Sequence, residues 1–190
     1  MAIIEGNDPY RQASFSLRSR FARGLWGVVW LLLFRPSPRP LHAWRSLLLR
    51  LFGANVGVGC HVYPSVRVWA PWNLALGKRV GVADGVTFYS MAKIKVGDYA
   101  VVSQGAHLCA GTHDYNSANF QLLAKPIAVG AQAWICAEAF LHAGVTVPVG
   151  AVVGARSVVT RTLSNPWAVY AGNPCKEIGK RKQIVLGGQQ

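Results

Sequence analysis

The sequence predicts an all-β solenoid, in which short strands wind into triangular coils that stack along one axis. Three observations carry that reading. From Val129 a large aliphatic recurs every sixth residue, at Val129, Ile135, Leu141, Val147, Val153 and Val159. Four residues after each of the first five stands a small or modest side chain: Ala133, Ala139, Val145, Ala151 and Ser157. The same period also runs upstream in three blocks that begin at Val56, Leu76 and Val96. A sandwich strand alternates with period two and a helical repeat needs a longer unit, so this period fits neither. Each hexad supplies one flat wall and one corner. The aliphatic points inward, the small residue fits where the walls converge, and stacked coils bury one continuous core.

Residues 1–55 are a separate basic and apolar segment. Its arginines are Arg11, Arg18, Arg20, Arg23, Arg35, Arg39, Arg45 and Arg50, against only Glu5 and Asp8. The uncharged run "GLWGVVWLLLF", 24–34, is helical in character. As a helix it spans roughly 16 Å, about half of a bilayer core, and does not cross one. "RPSPRP", 35–40, ends it, because proline lacks the donor and disfavours a helical residue before it. "LHAWRSLLLRLF", 41–52, is a second helix. Two placements stay open. Trp26, Trp30 and Trp44 with the arginines suit an anionic membrane interface, reached through residues 11–52. Alternatively the helices cap the main domain or pack between subunits. The chain carries 20 Lys+Arg against 7 Asp+Glu, a net charge of +13, which implies an anionic partner. Nucleic acid is disfavoured, since the arginines alternate with large aliphatics instead of forming an exposed run.

Residues 56–164 hold about five coils. Each upstream block is three hexads followed by a two-residue insert, Leu74-Ala75 and then Ile94-Lys95. Coil three ends at His113 and coil four restarts at Val129, so 114–128 is a loop outside the prism. Insertions in solenoids collect on one face and often carry a binding site. That places His113, in "CAGTHDYN", where the loop leaves. Residues 165–190 are expected to form a short helical tail. Cys60, Cys109, Cys136 and Cys175 lie far apart with no CxxC pair, which suits free thiols in a reducing cytosol. No signal peptide is evident.

The stretch "GTHDYNSANFQLLAKPIAVGAQAWICAEAFLHAGVTVPVGAVVGARSVVTRTL", with "YAGNPCK" after it, resembles the hexapeptide-repeat acyltransferases. Within them it is most similar to the O-acetyltransferases of colanic-acid and exopolysaccharide synthesis. The likeness extends upstream through "PSVRVWAPWNLALG" and "AWRSLLLRLFGANVG". The resemblance implies a left-handed parallel β-helix and a homotrimer with sites in the clefts between subunits. It also implies direct transfer from acetyl-CoA to a hydroxyl in a ternary complex, with no metal. The family histidine corresponds to His113. A sugar hydroxyl is a poor nucleophile near neutral pH, and a positioned imidazole can take its proton as the new bond forms. Asp114 and Tyr115 are expected to orient the ring or the acceptor, and a backbone N–H to hold the oxyanion.

By match to the family motif, Trp134, Ala137, Ala155 and Thr160 line the pantetheine channel. Lys176 faces the nucleotide phosphates, with Lys180, Arg181 and Lys182 as further candidates. Arg156 departs from a common glycine and would narrow the channel or touch a phosphate. The implied acceptor is a saccharide hydroxyl; the Arg/Trp-rich segment 11–52 adds the expectation that it is lipid-linked or nucleotide-linked and used by a cytoplasmic enzyme peripheral to the inner membrane face. Other acceptors (a free sugar, an amino sugar, an antibiotic, serine) and a non-catalytic binding module are alternatives on the same prism. So is a γ-type carbonic anhydrase with zinc on His107, His113 and His142, although their spacing does not match that family and zinc needs three converging ligands.

Overall fold

The computed structural model describes residue 3 and residues 12–184. Its prism has three parallel faces. Face one stacks Asn55–Val56, Leu74–Leu76, Ile94–Val96, Ile127–Val129 and Thr146–Val147. Face two stacks His61–Val62, Gly81–Val82, Val101–Val102, Trp134–Ile135 and Val152–Val153. Arg67–Val68, Thr87–Tyr89, His107–Cys109, Phe140–Leu141 and Val158–Val159 make face three. Every periodic aliphatic from Val129 to Val159 is buried, as are Ala133, Ala139, Val145, Ala151 and Ser157 in the corners. The inserts are not loops. They lengthen face one, where Leu74 and Ile94 each add a second inward aliphatic and Ile127 continues their row.

Hydrogen-bond polarity explains both ends of the prism. Along the faces each coil donates its N–H groups to the carbonyls of the next, His61 N to Val80 O at 2.9 Å, Gly81 N to Ala100 O at 3.0 Å and Val101 N to Ala133 O at 2.9 Å, while the turns between faces donate back, as Arg79 N does to Val58 O at 2.8 Å. Coil one therefore presents carbonyls with no coil to receive from, and buried carbonyls need donors. Helix α1 (Leu17–Val29), a π-helical turn (Trp30–Phe34) and helix α2 (His42–Leu51) supply them. Trp26 Nε1 donates to Val68 O and Trp30 Nε1 to Val66 O, both at 2.7 Å. Arg45 Nε donates to Val62 O at 2.6 Å and Arg50 Nε to Val56 O at 2.9 Å. Phe34, Leu48 and Leu49 plug the open core beneath them.

Of the two open placements, the contacts of two tryptophans support capping. Trp26 and Trp30 face the prism because an indole is an apolar body with a single donor, which matches a carbonyl edge as well as it matches a lipid interface. Trp44 is partly exposed and donates to Leu33 O at 3.0 Å. Arg11, Glu5 and Asp8 lie outside the described residues.

Coil five has the opposite need, carbonyls for its free N–H groups. Residues Ala168–Ala171 add a sixth rung to face two, and Lys176–Lys180 pairs antiparallel with it. Gly154 N donates to Tyr170 O at 2.7 Å and Val158 N to Gly172 O at 3.0 Å. The tail is therefore a hairpin and not a helix, since a helix spends its carbonyls internally.

The excursion is also longer than the period suggests. Gly111–His113 and Leu122–Ala124 form an antiparallel arm, and the chain rejoins face one at Ile127. Coil three thus ends at Ala110, which is buried in its last corner, and not at His113. Gly111 is the root of the arm, where any β-carbon would collide with Met91 Sδ and the Tyr89 ring.

Candidate functional site

His113 is half-buried on that arm. Its Nδ1 lies 2.9 Å from Phe120 O, and its ring stacks on the Phe120 ring with centroids 4.3 Å apart and planes 14° from parallel. A carbonyl can only accept, so Nδ1 carries the hydrogen and Nε2 keeps its lone pair in the neutral ring. Phe120 has φ 47°, a left-handed conformation that turns its carbonyl back across the arm. Asp114 does not orient the ring. Its Oδ1 accepts from Asn116 N at 3.0 Å and its own N–H donates to Gln121 O, so it caps the turn at the arm's tip. Tyr115, 81% exposed, projects from that tip. Phe120, the one aromatic in the polar run after Tyr115, carries no sequence motif that marks it for this role.

The corner between faces three and one carries an outward column one residue past each inward aliphatic. It runs Trp69, Tyr89, Cys109, His142, Thr160, as the registers Val68↔Phe88↔Leu108↔Leu141↔Val159 require. Trp69 and Tyr89 meet edge to face at 5.7 Å. Cys109 stands at the root of the arm, its Sγ 3.3 Å from Gly111 O. Two rungs further, a groove of about 340 Å³ brings Thr160 together with Arg161, Cys175 and Lys176.

The remaining donor-site candidates lie elsewhere on the chain. Ala137 and Ala155 stack at the opposite corner, between faces two and three, where Arg156 N donates to Ala137 O at 2.9 Å. Arg156 Nε bonds Glu138 Oε2 at 2.6 Å, so its charge is already answered on the surface. Trp134 stands on face two, its Nε1 2.9 Å from Ser103 Oγ, beside Tyr99 and Arg181. Arg181 Nη1 donates to Gln132 O and Gly150 O, so it ties the tail to the prism. One copy thus divides these residues between two corners and a face.

His107 packs edge-on to Phe140, and burial lowers its basicity; its Nε2 is buried without a hydrogen-bond partner among the described residues. Burial pushes the Cys60, Cys136 and Cys175 thiols up. Among the described residues no three His, Cys, Asp or Glu side chains converge as metal ligands, and no helix is long and apolar enough to cross a membrane.

No family model matches the chain. It is 41% identical over 157 residues to a colanic acid biosynthesis acetyltransferase, WcaF, of Escherichia coli, covering 83% of this chain and 86% of the relative. It is 27% identical over 144 residues to the galactoside O-acetyltransferase of the same organism, covering 74% and 70%. Among solved structures, a hexapeptide-repeat acetyltransferase of Vibrio cholerae in complex with acetyl coenzyme A superposes with TM-score 0.80 at 20% identity, over 95% of this chain and 97% of that one. A maltose O-acetyltransferase of Clostridium difficile also gives 0.80, at 24% identity over 88% and 90%. These superpositions identify the prism as a left-handed parallel β-helix.

Proposed function

The chain belongs to the hexapeptide-repeat acetyltransferases, and on that premise we propose that it acetylates a saccharide hydroxyl from acetyl-CoA with His113 as general base. The observation that carries the proposal is the His113 tautomer: Nδ1 is committed to Phe120 O, which leaves Nε2 to accept a proton. Acetyl-CoA supplies an acyl thioester. Nε2 takes the hydroxyl proton as the acceptor oxygen bonds to the acyl carbon, and returns it to the departing thiolate as the C–S bond breaks. Fixed orientation spares the ring a search at the moment of transfer.

Thr160, Arg161 and Lys176 fit the donor end, because they line one groove that carries two cations. Trp134, Ala137 and Ala155 would complete that channel from a second copy. This supports a homotrimer, in which the edge of one chain meets a different corner of its neighbour.

The acceptor reading draws on the relatives, which act in colanic acid synthesis and on galactosides by their names. A lipid-linked acceptor at the inner membrane face is supported by the helices. Leu17, Phe21, Leu25, Val28 and Leu32 form an exposed stripe on the side of α1 and its π turn away from the prism. Leu41, Trp44, Leu47 and Leu51 are exposed on and around α2. With the chain's +13 charge, the occupant that fits is an anionic bilayer surface. The test of the chemistry is turnover of acetyl-CoA with a saccharide acceptor by wild type and His113→Ala, with mass spectrometry of the product. Equal turnover by the variant would discard His113 as the base.

A further inference from the structure

We propose that the cavity between α1 and the first coil binds the phosphate or diphosphate of an amphiphilic acceptor, and that the Trp69–Tyr89 column leads its saccharide to His113. The inference rests on the lipid-linked reading above and names the group by which such an acceptor is held.

The cavity, about 250 Å³, has two guanidiniums, Arg23 and Arg67, between the indoles of Trp26, Trp30 and Trp69. Arg23 lies over the Trp69 ring at 4.3 Å and the Phe15 ring at 4.9 Å; Arg67 lies over Trp30 at 5.3 Å. Stacking fixes both guanidinium planes and leaves their edges for hydrogen bonds. Arg23 Nε is buried with no hydrogen-bond partner among the described residues. A buried donor of that kind is costly unless something fills it.

No described carboxylate does so. Asp84 pairs with Arg39, Asp98 caps Lys78 N, Asp114 caps Asn116 N, Glu138 pairs with Arg156 and Glu177 accepts from Asn165. Gly27, which lines the cavity, has open space where a β-carbon would stand, so a ligand can approach bare helix backbone there. Two planar forks beside an unanswered donor suit phosphate oxygens. The indole walls suit the first carbons of an apolar chain.

Position strengthens the chemistry. Trp69 is both a wall of the cavity and the first member of the outward column. Cys109, at the root of the His113 arm, is two rungs away, roughly 10 Å at the usual strand spacing. Tyr89 stands between them. The exposed stripe of α1 lies across the same helix from the cavity, about 10 Å away by the width of a helix. A headgroup in the cavity therefore sits between a membrane surface and the base.

The test is equilibrium binding to the full-length protein, followed by tryptophan fluorescence, with farnesyl diphosphate, inorganic diphosphate and phosphatidylglycerol vesicles as separate probes. Saturable binding of farnesyl diphosphate is expected, at least 10-fold tighter than inorganic diphosphate. Arg67→Gln and Arg23→Lys should each weaken it by about 10-fold, the loss of one charge-assisted contact. His113→Ala should leave it unchanged. Arg67 is exposed, so its variant reports binding even if Arg23→Lys unfolds. No saturable binding, or binding indifferent to both substitutions, overturns the site. Equal affinity for inorganic diphosphate overturns the amphiphile in favour of a free anion, and an effect confined to vesicles makes these arginines membrane contacts instead. Because binding is read without turnover, failure of the acetyl-transfer reading and failure of this site give different results.

Discussion

Replacing His113 by alanine removes the group that would take the acceptor proton while leaving the donor groove intact. General-base catalysis contributes roughly 10²–10⁴ in rate, about 2.7–5.5 kcal/mol of barrier. His113→Ala should therefore lower kcat by about 100-fold or more, with acetyl-CoA affinity little changed. Phe120 separates orientation from proton transfer. Phe120→Asn keeps the backbone carbonyl on Nδ1, tolerates φ 47° and removes the stacked ring. An aromatic pair is worth about 0.5–1.5 kcal/mol, so complete loss of that contact in the transition state costs roughly 2- to 10-fold. Release of the CoA thiol at saturating acceptor measures both, and calorimetry measures acetyl-CoA binding. If His113→Ala keeps kcat within about threefold of wild type, or if Phe120→Asn loses as much as His113→Ala, the tautomer argument is wrong.

Three other outcomes follow from particular contacts. Arg45→Leu should destabilise the fold by about 2–4 kcal/mol in urea unfolding, because Val62 O, Pro38 O and Arg39 O all lose a buried donor; an unchanged midpoint would show that the carbonyl edge needs no cap. His107 is held less basic in the folded chain by burial, so the unfolded chain binds its proton first as pH falls. Its contribution to stability is therefore lost as pH drops below about 6.5 toward its lower folded value, and His107→Leu should flatten that part of the urea-midpoint profile between pH 7.5 and 5.5. Leu25→Glu with Leu32→Glu, both exposed, should abolish co-sedimentation with anionic vesicles at unchanged melting temperature. Retained binding would remove the membrane role from the stripe.

The coils were legible because a six-residue period has one structural solution, and it placed every buried aliphatic from Val129 to Val159. The ends were not, because capping depends on which backbone groups the last coil leaves open, and no residue pattern displays that. Trp26 and Arg45 carry the same sequence signature whether they face lipid or a carbonyl edge. The orienter of His113 was missed for a related reason. Asp114 is a familiar partner for histidine, whereas Phe120 acts through a backbone carbonyl that any residue possesses. For Ala137, Ala155 and Thr160, a linear motif does not say that the two alanines lie on a different edge from Thr160.

The excess of positive charge becomes more specific once the committed groups are set aside. Arg45 and Arg50 are spent on carbonyls of coil one, Arg39 on Asp84, Arg156 on Glu138, and Arg181 on carbonyls of the later coils. Two of the cationic places that remain stand at opposite ends of one outward column. Arg161 and Lys176 lie by Thr160 at one end, and Arg23 and Arg67 lie by Trp69 at the other. The arm that carries His113 leaves the prism from the middle rung, beside Cys109. An enzyme that joins an anionic donor to an uncharged acceptor has use for one such place. Two of them, with the proposed base between, would suit a reaction whose partners both carry phosphate, arriving from opposite ends of the same edge so that like charges stay about 20 Å apart, four rungs of the coil.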